Sequence, residues 1–329
     1  NSKLDIQEKV MSHMVDTMAY AGKTPWHGLG EKVDDNLTPQ QMLKAAGLEW
    51  QVQKKPVYYM DNLKGYHKSD EWNVLVRSDT NKILGPCGKN YLPIQNDTVF
   101  DFFNKFVKSG DMKMDTAGSL DDGRHVWGLA SIKDGFSVTK GDDVEGYLLI
   151  SHPHQWGKAL TIMFTNIRVV CNNTITAALN ETGATKFRMP HVQEFSEAVQ
   201  FRAQEALGLA KSQLSGFKQQ AQFLAKKRYT EAKLNEFIVR QFMPKNVNEV
   251  QQRELWNRTA TTVHQLVHEQ PGSKMSEGTW WSALNAVTYY ADHVAGRDRN
   301  AALRSAWFGS KATMKRKALD LATEYAKAA

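Results

Sequence analysis

The sequence has few cysteines and no long hydrophobic run. Cys87 and Cys171 are its two cysteines, and neither has a second cysteine two to four residues away, the spacing typical of a structural zinc site. No apolar stretch approaches the roughly 18 residues of a membrane helix. The N-terminal residues are polar and charged, so we predict neither a membrane span nor a secretion signal. We therefore expect a cytoplasmic protein whose two thiols are reduced.

The composition is that of a folded protein. Of 329 residues, 41% are hydrophobic and 23% are charged, with 22 glycines and 9 prolines. This balance excludes an intrinsically disordered chain and a collagen-like repeat. A chain of this length buries roughly 75% of its unfolded surface, so it needs no disulfide or metal for stability. The length also predicts about two domains.

The net charge of +7 comes entirely from the C-terminal part of the chain. Residues 191–329 contain 20 lysines and arginines against 13 aspartates and glutamates, whereas residues 1–190 contain 22 of each kind. A basic segment favours a phosphate-rich or otherwise acidic partner, although solvated helix faces also carry such charges. The basic clusters are Lys226, Lys227 and Arg228, and then Lys311, Lys315, Arg316 and Lys317.

Strand patterns dominate the first 190 residues. A hairpin is predicted from the strand 72–77, the turn 78–81 and the return strand 82–84. Strands follow one another through short turns and do not alternate with helices, which predicts an α+β fold with an antiparallel sheet and excludes a Rossmann fold. The other predicted strands cover residues 50–53, 57–59, 125–130, 147–150, 160–164 and 168–171.

Helix patterns are few before residue 190 and continuous after it. Residues 1–20 predict a short helix or an N-terminal arm. The other early predicted helices cover 40–46 after the cap Thr38, 99–107 and 172–179. From His191 onward, apolar residues recur at three- and four-residue spacing and predict helices at 192–227, 230–242, 247–269, 277–294 and 299–327. We therefore predict an α+β domain over 1–190 and a basic helical region over 191–329, which can also pack on the sheet as one unit.

Two histidines and one cysteine form the most suggestive chemical pattern. His152 and His154 share one face of a predicted strand and can hold a metal, but no third ligand is near, and a polar turn with exposed rings explains them more simply. Cys171 lies where a helix N-terminus can activate a thiol, with His152 or His154 as base; a buried strand can equally end in cysteine. We assign no catalytic residue, no metal ligand and no cofactor. Arg168, on an otherwise apolar strand, needs an internal carboxylate or a phosphate.

A loop near the N-terminus and a C-terminal helix are unusual in their aromatic residues. Residues 24–30 combine a proline, two glycines and an aromatic ring, which predicts a shaped loop, but its Gly-x-Gly lacks the third glycine of a dinucleotide site. The candidate functional residues of this loop are Pro25, Trp26, His27, Gly28 and Gly30. Trp280, Trp281, Tyr289 and Tyr290 share one predicted helix, where a helix–helix core is the first interpretation and base stacking or an oligomer contact the alternative.

Several separate motifs occur in an order that resembles a known family. They are residues 24–30, 72–79, 91–96, 123–124, 147–149, 168–174, 278–280 and 285–287. In this order they are similar to the phage- and plasmid-encoded family called domain of unknown function 932. The resemblance implies a mobile-element setting in a bacterial host. It implies no activity and no site residue.

Three functions follow as hypotheses. The first is a protein that binds or anneals single-stranded DNA in replication or recombination, as a homo-oligomer, with lysines and arginines on the backbone and aromatic rings on the bases. Its predicted contacts are Arg168, Lys226, Lys227, Arg228, Lys315, Arg316 and Lys317. The second is a protein–protein interaction module that acts on a host protein without catalysis. The third is an enzyme that uses Cys171 with His152 or His154.

Overall fold

The computed structural model describes residues 15–22, 30–133, 135–168, 173–175, 186–208, 210–242, 250–296, 305 and 309–328. They belong to two compact units, each assembled from three stretches of chain. The first unit falls within Asn1–Lys133, Tyr147–Met163 and Ala184–Gly208, and the second within Asp134–Gly146, Phe164–Gly183 and Leu209–Ala329. The division at residue 190 that the sequence suggests stays a prediction.

The predicted α+β class is confirmed, with mainly antiparallel strands. The larger sheet has the order β11-β10-β9-β7-β6-β1-β2, with β12 beside β10 and β8 beside β9, and a smaller sheet has the order β3-β4-β5. The pair β1–β2 is parallel. The strands are β1 (Val15–Ala21), β2 (Glu31–Val33), β3 (Val52–Met60), β4 (Tyr66–Arg77), β5 (Ile83–Gly88), β6 (Met112–Leu120), β7 (His125–Ile132), β8 (Phe136–Thr139), β9 (Asp142–Pro153), β10 (Ala159–Arg168), β11 (Asn173–Ile175) and β12 (Lys186–Pro190).

From Glu197 onward the described elements are helices, as the sequence predicts. A 3-10 turn at Ser273–Ser276 and a π-helical turn at Tyr290–Val294 flank the buried helix α8. None of the helices in the described residues is both long and apolar enough to span a bilayer. The helices are α1 (Pro39–Ala45), α2 (Asn96–Asp101), α3 (Asn104–Lys108), α4 (Glu197–Gly208), α5 (Ala210–Lys226), α6 (Glu231–Phe242), α7 (Val250–Glu269), α8 (Trp280–Tyr289) and α9 (Ser310–Lys327).

The first unit packs aromatic residues of two short helices against its sheet. Phe100 and Phe103 are fully buried, and Gly128 on β7 lies directly beneath them. A Cβ atom at position 128 would lie 3.1 Å from Phe100 and 3.2 Å from Phe103. The missing side chain therefore allows the close approach of helix and sheet.

The second unit is built around α8. Trp280 is 1% exposed and stacks on Tyr325, with 5.1 Å between ring centroids. Trp281 is fully buried and donates a hydrogen bond from Nε1 to Asp142 Oδ2 at 2.8 Å. For these two tryptophans the helix–helix core interpretation is confirmed, because a fully buried indole has no free face for a base.

Three local predictions are wrong. Residues 15–20 form strand β1, paired with β6 through Ala19 and Ala117, and not a helix. Residues 173–175 form strand β11, which returns along β10 with Thr174 opposite Ile167, where the sequence suggests a helix. The helix predicted over 99–107 divides into α2 and α3. The chain turns at Phe102 and Phe103 between these two helices, and both rings are fully buried.

Candidate nucleic-acid interface

Strands β3 and β4 extend into an exposed two-stranded arm. Here Tyr58 lies opposite Lys68, Tyr59 opposite His67, and Met60 opposite Tyr66. We call residues 55–68 the arm. The arm tyrosines Tyr58, Tyr59 and Tyr66 are 58%, 58% and 77% exposed. Large exposed aromatic rings in a cluster are uncommon on a folded surface and mark a binding site.

Both faces of the arm carry aromatic side chains. Directly opposed residues share a face and successive residues alternate between faces, so Tyr58 and Tyr66 lie on one face together with Met60 and Lys68. Tyr59 lies on the other face, where its ring centroid is 5.6 Å from that of His67. An antiparallel sheet normally covers one face with the protein core, and this arm leaves both faces available to a ligand.

The turn at the end of the arm is ordered by Asp61. Its carboxylate accepts hydrogen bonds from the backbone N–H groups of Leu63 and Gly65, both at 2.8 Å, and from His67 Nε2 at 2.7 Å. The hydrogen bonds from His67 and Gly65 lower the pKa of the Asp61 carboxyl. Lys64 adopts a positive φ of 64° that completes the turn. The arm therefore has a defined shape before any ligand binds.

The end of the β3–β4 pair far from the arm is fixed to the first unit through Arg77, the last residue of β4. Its guanidinium binds Asp79 through two hydrogen bonds of 3.1 and 2.8 Å, and it also contacts Asp16. It donates to the Asp122 carbonyl at 3.0 Å and lies 4.5 Å from the ring centroid of Trp50. A buried, multiply bonded arginine fixes this end of β4, from which the strand continues to the arm.

Three lysines give the arm its positive charge. The arm lysines Lys55, Lys64 and Lys68 are exposed, and within the described residues none of them pairs with a carboxylate. Lys54, just before the arm, differs because its ammonium donates to the backbone carbonyls of Lys89 and Tyr91. The arm lysines are thus available to a phosphate, whereas Lys54 serves the local structure.

The first basic cluster predicted from the sequence lies at the end of α5. Lys226 and Arg228 are exposed, and Lys227 is half-buried with its ammonium 5.9 Å from the ring centroid of Phe223. Arg228 forms an isolated antiparallel bridge with Thr279. This cluster is open to solvent. The residues described in contact with it, Phe223 and Thr279, include no exposed aromatic ring.

The second basic cluster, on α9, is divided between core and surface. Lys315 is 2% exposed, and its ammonium contacts Asp292 Oδ1 at 2.8 Å. Lys311 is also buried, because it lies one helical turn before Lys315 on the same face. Arg316 is exposed, and exposed Lys317 donates to the Gln241 carbonyl at 2.7 Å. A buried, ion-paired lysine cannot reach a phosphate, so Lys315 is left out of the contacts proposed below.

His152 and His154 are fully buried, so the interpretation of exposed turn residues is wrong. Their Nε2 atoms contact the Ile94 carbonyl at 3.0 Å and Asn96 Oδ1 at 2.9 Å. Burial is the main cause that holds the pKa of both imidazoles well below the ordinary value. No cluster of three metal-ligating side chains occurs in the described part of the chain.

Other predicted site residues fall wholly or partly outside the described residues. Pro25, Trp26, His27 and Gly28 lie outside them, as does Cys171, and nothing is described of the Arg168 side chain. Gly30 is described and has a φ of 101°. A Cβ atom there would lie 3.0 Å from the Met18 side chain, so this end of the loop requires glycine.

The comparison with protein families gives one match. A family model described as domain of unknown function (DUF932) matches residues 83–316, more than half of the chain. The chain belongs to the DUF932 family. No curated protein and no solved structure matches it. The family match begins after the arm and includes the basic clusters except Lys317, so the arm lies outside the part of the chain that defines membership.

The arm is a candidate site that was not predicted from the sequence. Residues 57–59 are predicted as strand, but that prediction takes no account of the consecutive tyrosines Tyr58 and Tyr59, which must lie on opposite faces of a strand. A strand that is aromatic on both faces and flanked by lysines cannot bury both faces when it lies at the end of a hairpin. That pattern was the signal available in the sequence. In this DUF932 member it lies in the part of the chain whose formal charges cancel.

Proposed function

We propose that this protein binds single-stranded nucleic acid, with the arm as its principal contact surface. The observation that supports this most directly is one ordered hairpin with three exposed tyrosines and three lysines that have no carboxylate partner among the described residues. Aromatic rings stack on unpaired bases, and lysines neutralise the phosphates between them. Duplex DNA hides the faces of its bases, so exposed rings on both faces of a ribbon favour a single strand.

The exposed members of the two basic clusters extend this proposal. Lys226, Arg228 and Arg316 offer charge to any polyanion, and charge alone gives affinity without preference for unpaired bases. The proposed setting is replication or recombination of phage or plasmid DNA in bacterial cytoplasm, where a homo-oligomer would anneal strands. This setting rests on the family resemblance and on the overall positive charge.

The first test replaces Tyr58 and Tyr66 by alanine and measures binding of a labelled 16-nucleotide oligo(dT) by fluorescence anisotropy. Stacking contributes about 1–3 kcal/mol per base, so loss of both rings should weaken binding at least tenfold, since about 1.4 kcal/mol is a factor of ten. The matched control is Phe201→Ala, because Phe201 on α4 is an aromatic residue that is also 54% exposed. Equal affinities for wild type and the tyrosine variant would contradict the proposal.

The second test uses salt. A protein that neutralises three phosphates of a single strand should show a slope of log K against log salt of about −2 from those contacts. Replacing the three arm lysines by alanine should therefore reduce the measured slope by about 2. The control removes the same charge from Lys32, Lys113 and Lys133, which are exposed elsewhere in the first unit. An identical slope in both triple variants would show that binding does not use the arm lysines.

A protein contact is the second candidate function, and two aliphatic side chains favour it. Leu63 is 91% exposed at the tip and Met60 is 58% exposed. Aliphatic residues do not stack on bases but do bury well against a second copy of the chain. Light scattering of wild type and Leu63→Asp distinguishes the candidates. A lower mass for the variant with unchanged DNA affinity assigns the tip to assembly.

A further inference from the structure

Two exposed tryptophans contact each other past the arm along β4, where β4 bulges away from β3. Trp72 on β4 lies opposite Gly88 on β5, and Trp156 lies in the turn between β9 and β10. Their ring centroids are 5.1 Å apart with the planes at 82°. Trp72 is 41% exposed and Trp156 is 57% exposed. An edge-to-face pair normally belongs to a core, whereas this pair keeps much of its aromatic surface in water.

The residues around the two tryptophans leave their rings exposed to solvent. Gly157 follows Trp156 with a φ of 76°, and a Cβ atom there would meet no atom within 4 Å, so the turn projects into open space. A Cβ at Gly88 would lie 3.7 Å from Trp156 Nε1, which places the indole beside the bare backbone of β5. Within the described residues Trp156 Nε1 has no hydrogen-bond acceptor. Its indole N–H is therefore free for a ligand.

The charge next to the pair is mixed but includes two free cations. Lys89 follows Gly88 and Lys158 follows Gly157, and both are exposed without an ion pair in the part of the chain that is described. Asp70 and Glu71 are exposed just before Trp72, where β4 bulges away from β3. The two cations and the two carboxylates balance, so the exposed rings are what select the ligand. They favour unpaired bases, each of which has an aromatic face, while Lys89 and Lys158 are positioned to contact phosphates between the bases.

Distance along β4 relates this pair to the arm. Tyr66 and Trp72 are six residues apart on one strand, which at about 3.3 Å per residue is at most about 20 Å. Stacked nucleotides follow one another at about 3.4 Å per strand. A single strand that reaches from one aromatic group to the other therefore spans about six nucleotides.

We infer that Trp72 and Trp156 form a second base-stacking site, so that the ligand is a single strand of about six or more nucleotides that follows β4. This inference rests on the proposed function of the arm. It goes beyond it by naming a separate site and a minimum ligand length. Mononucleotides and duplexes occupy at most one of the two sites, so neither gains from the second.

The test compares oligo(dT) of 4, 8 and 16 nucleotides and a 16-base-pair duplex in wild type, Trp156→Ala and Trp156→Phe. Wild type should gain at least about tenfold in affinity from 4 to 8 nucleotides. Trp156→Ala should lose that gain while binding the 4-nucleotide ligand normally, and Trp156→Phe should restore most of it, because an aromatic face is what the site supplies. Phe201→Ala is the control for loss of an exposed ring.

The outcomes separate this inference from the proposed function. If Trp156→Ala binds every length like wild type while the Tyr58 and Tyr66 double variant loses binding, the second site is wrong and the arm proposal stands. If wild type binds no oligonucleotide at low salt, both fail. Tighter binding of the duplex than of the 16-nucleotide strand would also overturn the inference, since paired bases cannot stack on these rings.

Discussion

Removing one partner of the buried pair between Lys315 and Asp292 should destabilise the second unit strongly. The two side chains are 1% and 6% exposed, and Nζ lies 2.8 Å from Oδ1. Burial is the largest influence on the Lys315 ammonium and lowers its pKa, while Asp292 opposes the shift. Taking away one partner of a buried pair costs about 3–5 kcal/mol, because the other charge is left without compensation.

The structure predicts that the two single variants differ. Lys311 is buried nearby, and its ammonium also interacts electrostatically with Asp292 and Lys315. Asp292→Asn leaves two buried lysines without their carboxylate and should lose about 4 kcal/mol or more of unfolding free energy. Lys315→Met leaves Lys311 as a second buried cation near Asp292, so its loss should lie at the lower end of the range, about 3 kcal/mol. The double variant should recover part of the loss, since no partnerless charge from the pair remains.

Urea unfolding followed by tryptophan fluorescence measures these differences, because Trp280 and Trp281 lie in the core of the same unit. The same samples serve for anisotropy with oligo(dT), where Lys315→Met should bind like wild type despite the loss of one positive charge. Two results would refute the reasoning. One is a stability change within about 0.5 kcal/mol for Asp292→Asn, which is what a surface position gives. The other is a specific loss of DNA binding in folded Lys315→Met.

Three further predictions concern the first unit. Arg77→Lys keeps the charge but loses the two-bond contact with Asp79 and the stacking on Trp50. It should lower the free energy of unfolding, measured with urea, by about 2–4 kcal/mol. It should also weaken oligo(dT) binding by loosening the arm. Burial lowers the pKa of His191 to about 4, whereas in the unfolded chain this imidazole has its ordinary pKa of 6.5. The unfolded chain therefore binds a proton first as the pH falls, so the contribution of His191 to the free energy of unfolding should be constant above about pH 7 and fall by about 3 kcal/mol between pH 6.5 and 4. His191→Phe should reduce the slope of unfolding free energy against pH in this range by about one proton. Gly123→Ala should lower Tm, because its φ is 92° and a Cβ would lie 2.8 Å from Trp50; an unchanged Tm would contradict this geometry.

Local patterns predicted most elements of this fold because they act over a few residues. Thr38 and Pro39 indicate a helix start, and the structure has a capping box there that Gln41 completes. The alternation at 72–77 and the turn at 78–81 predict the β4–β5 hairpin, which is present. The failures have a different physical origin. Residues 173–175 become a strand because β10 offers a partner in the sheet, and no local propensity contains that information.

The site residues were harder to predict because exposure depends on tertiary packing. Lys315 and Arg316 are neighbours in a basic cluster, yet one is buried and the other exposed, since successive helical residues differ in direction by about 100°. His152 and His154 read as exposed turn residues, whereas Ile94 and Asn96 from another segment accept their hydrogen bonds. In each case the sequence shows the residue type, and a distant part of the chain decides what the side chain can contact.

Positive charge and exposed aromatic rings are supplied by different parts of the chain. The net charge therefore indicated the C-terminal part, whereas the exposed rings lie in the N-terminal part. Net charge measures attraction to any polyanion, and it is highest after residue 191. Preference for unpaired bases needs free aromatic faces. Those of Tyr58, Tyr59 and Tyr66 lie within residues 1–190, where lysines and arginines equal aspartates and glutamates in number. On the proposed function, the C-terminal cations raise affinity for all nucleic acids, while the arm supplies the preference for single strands. The two contributions therefore respond differently to added salt, because screening weakens the cations and leaves the stacked rings largely unaffected.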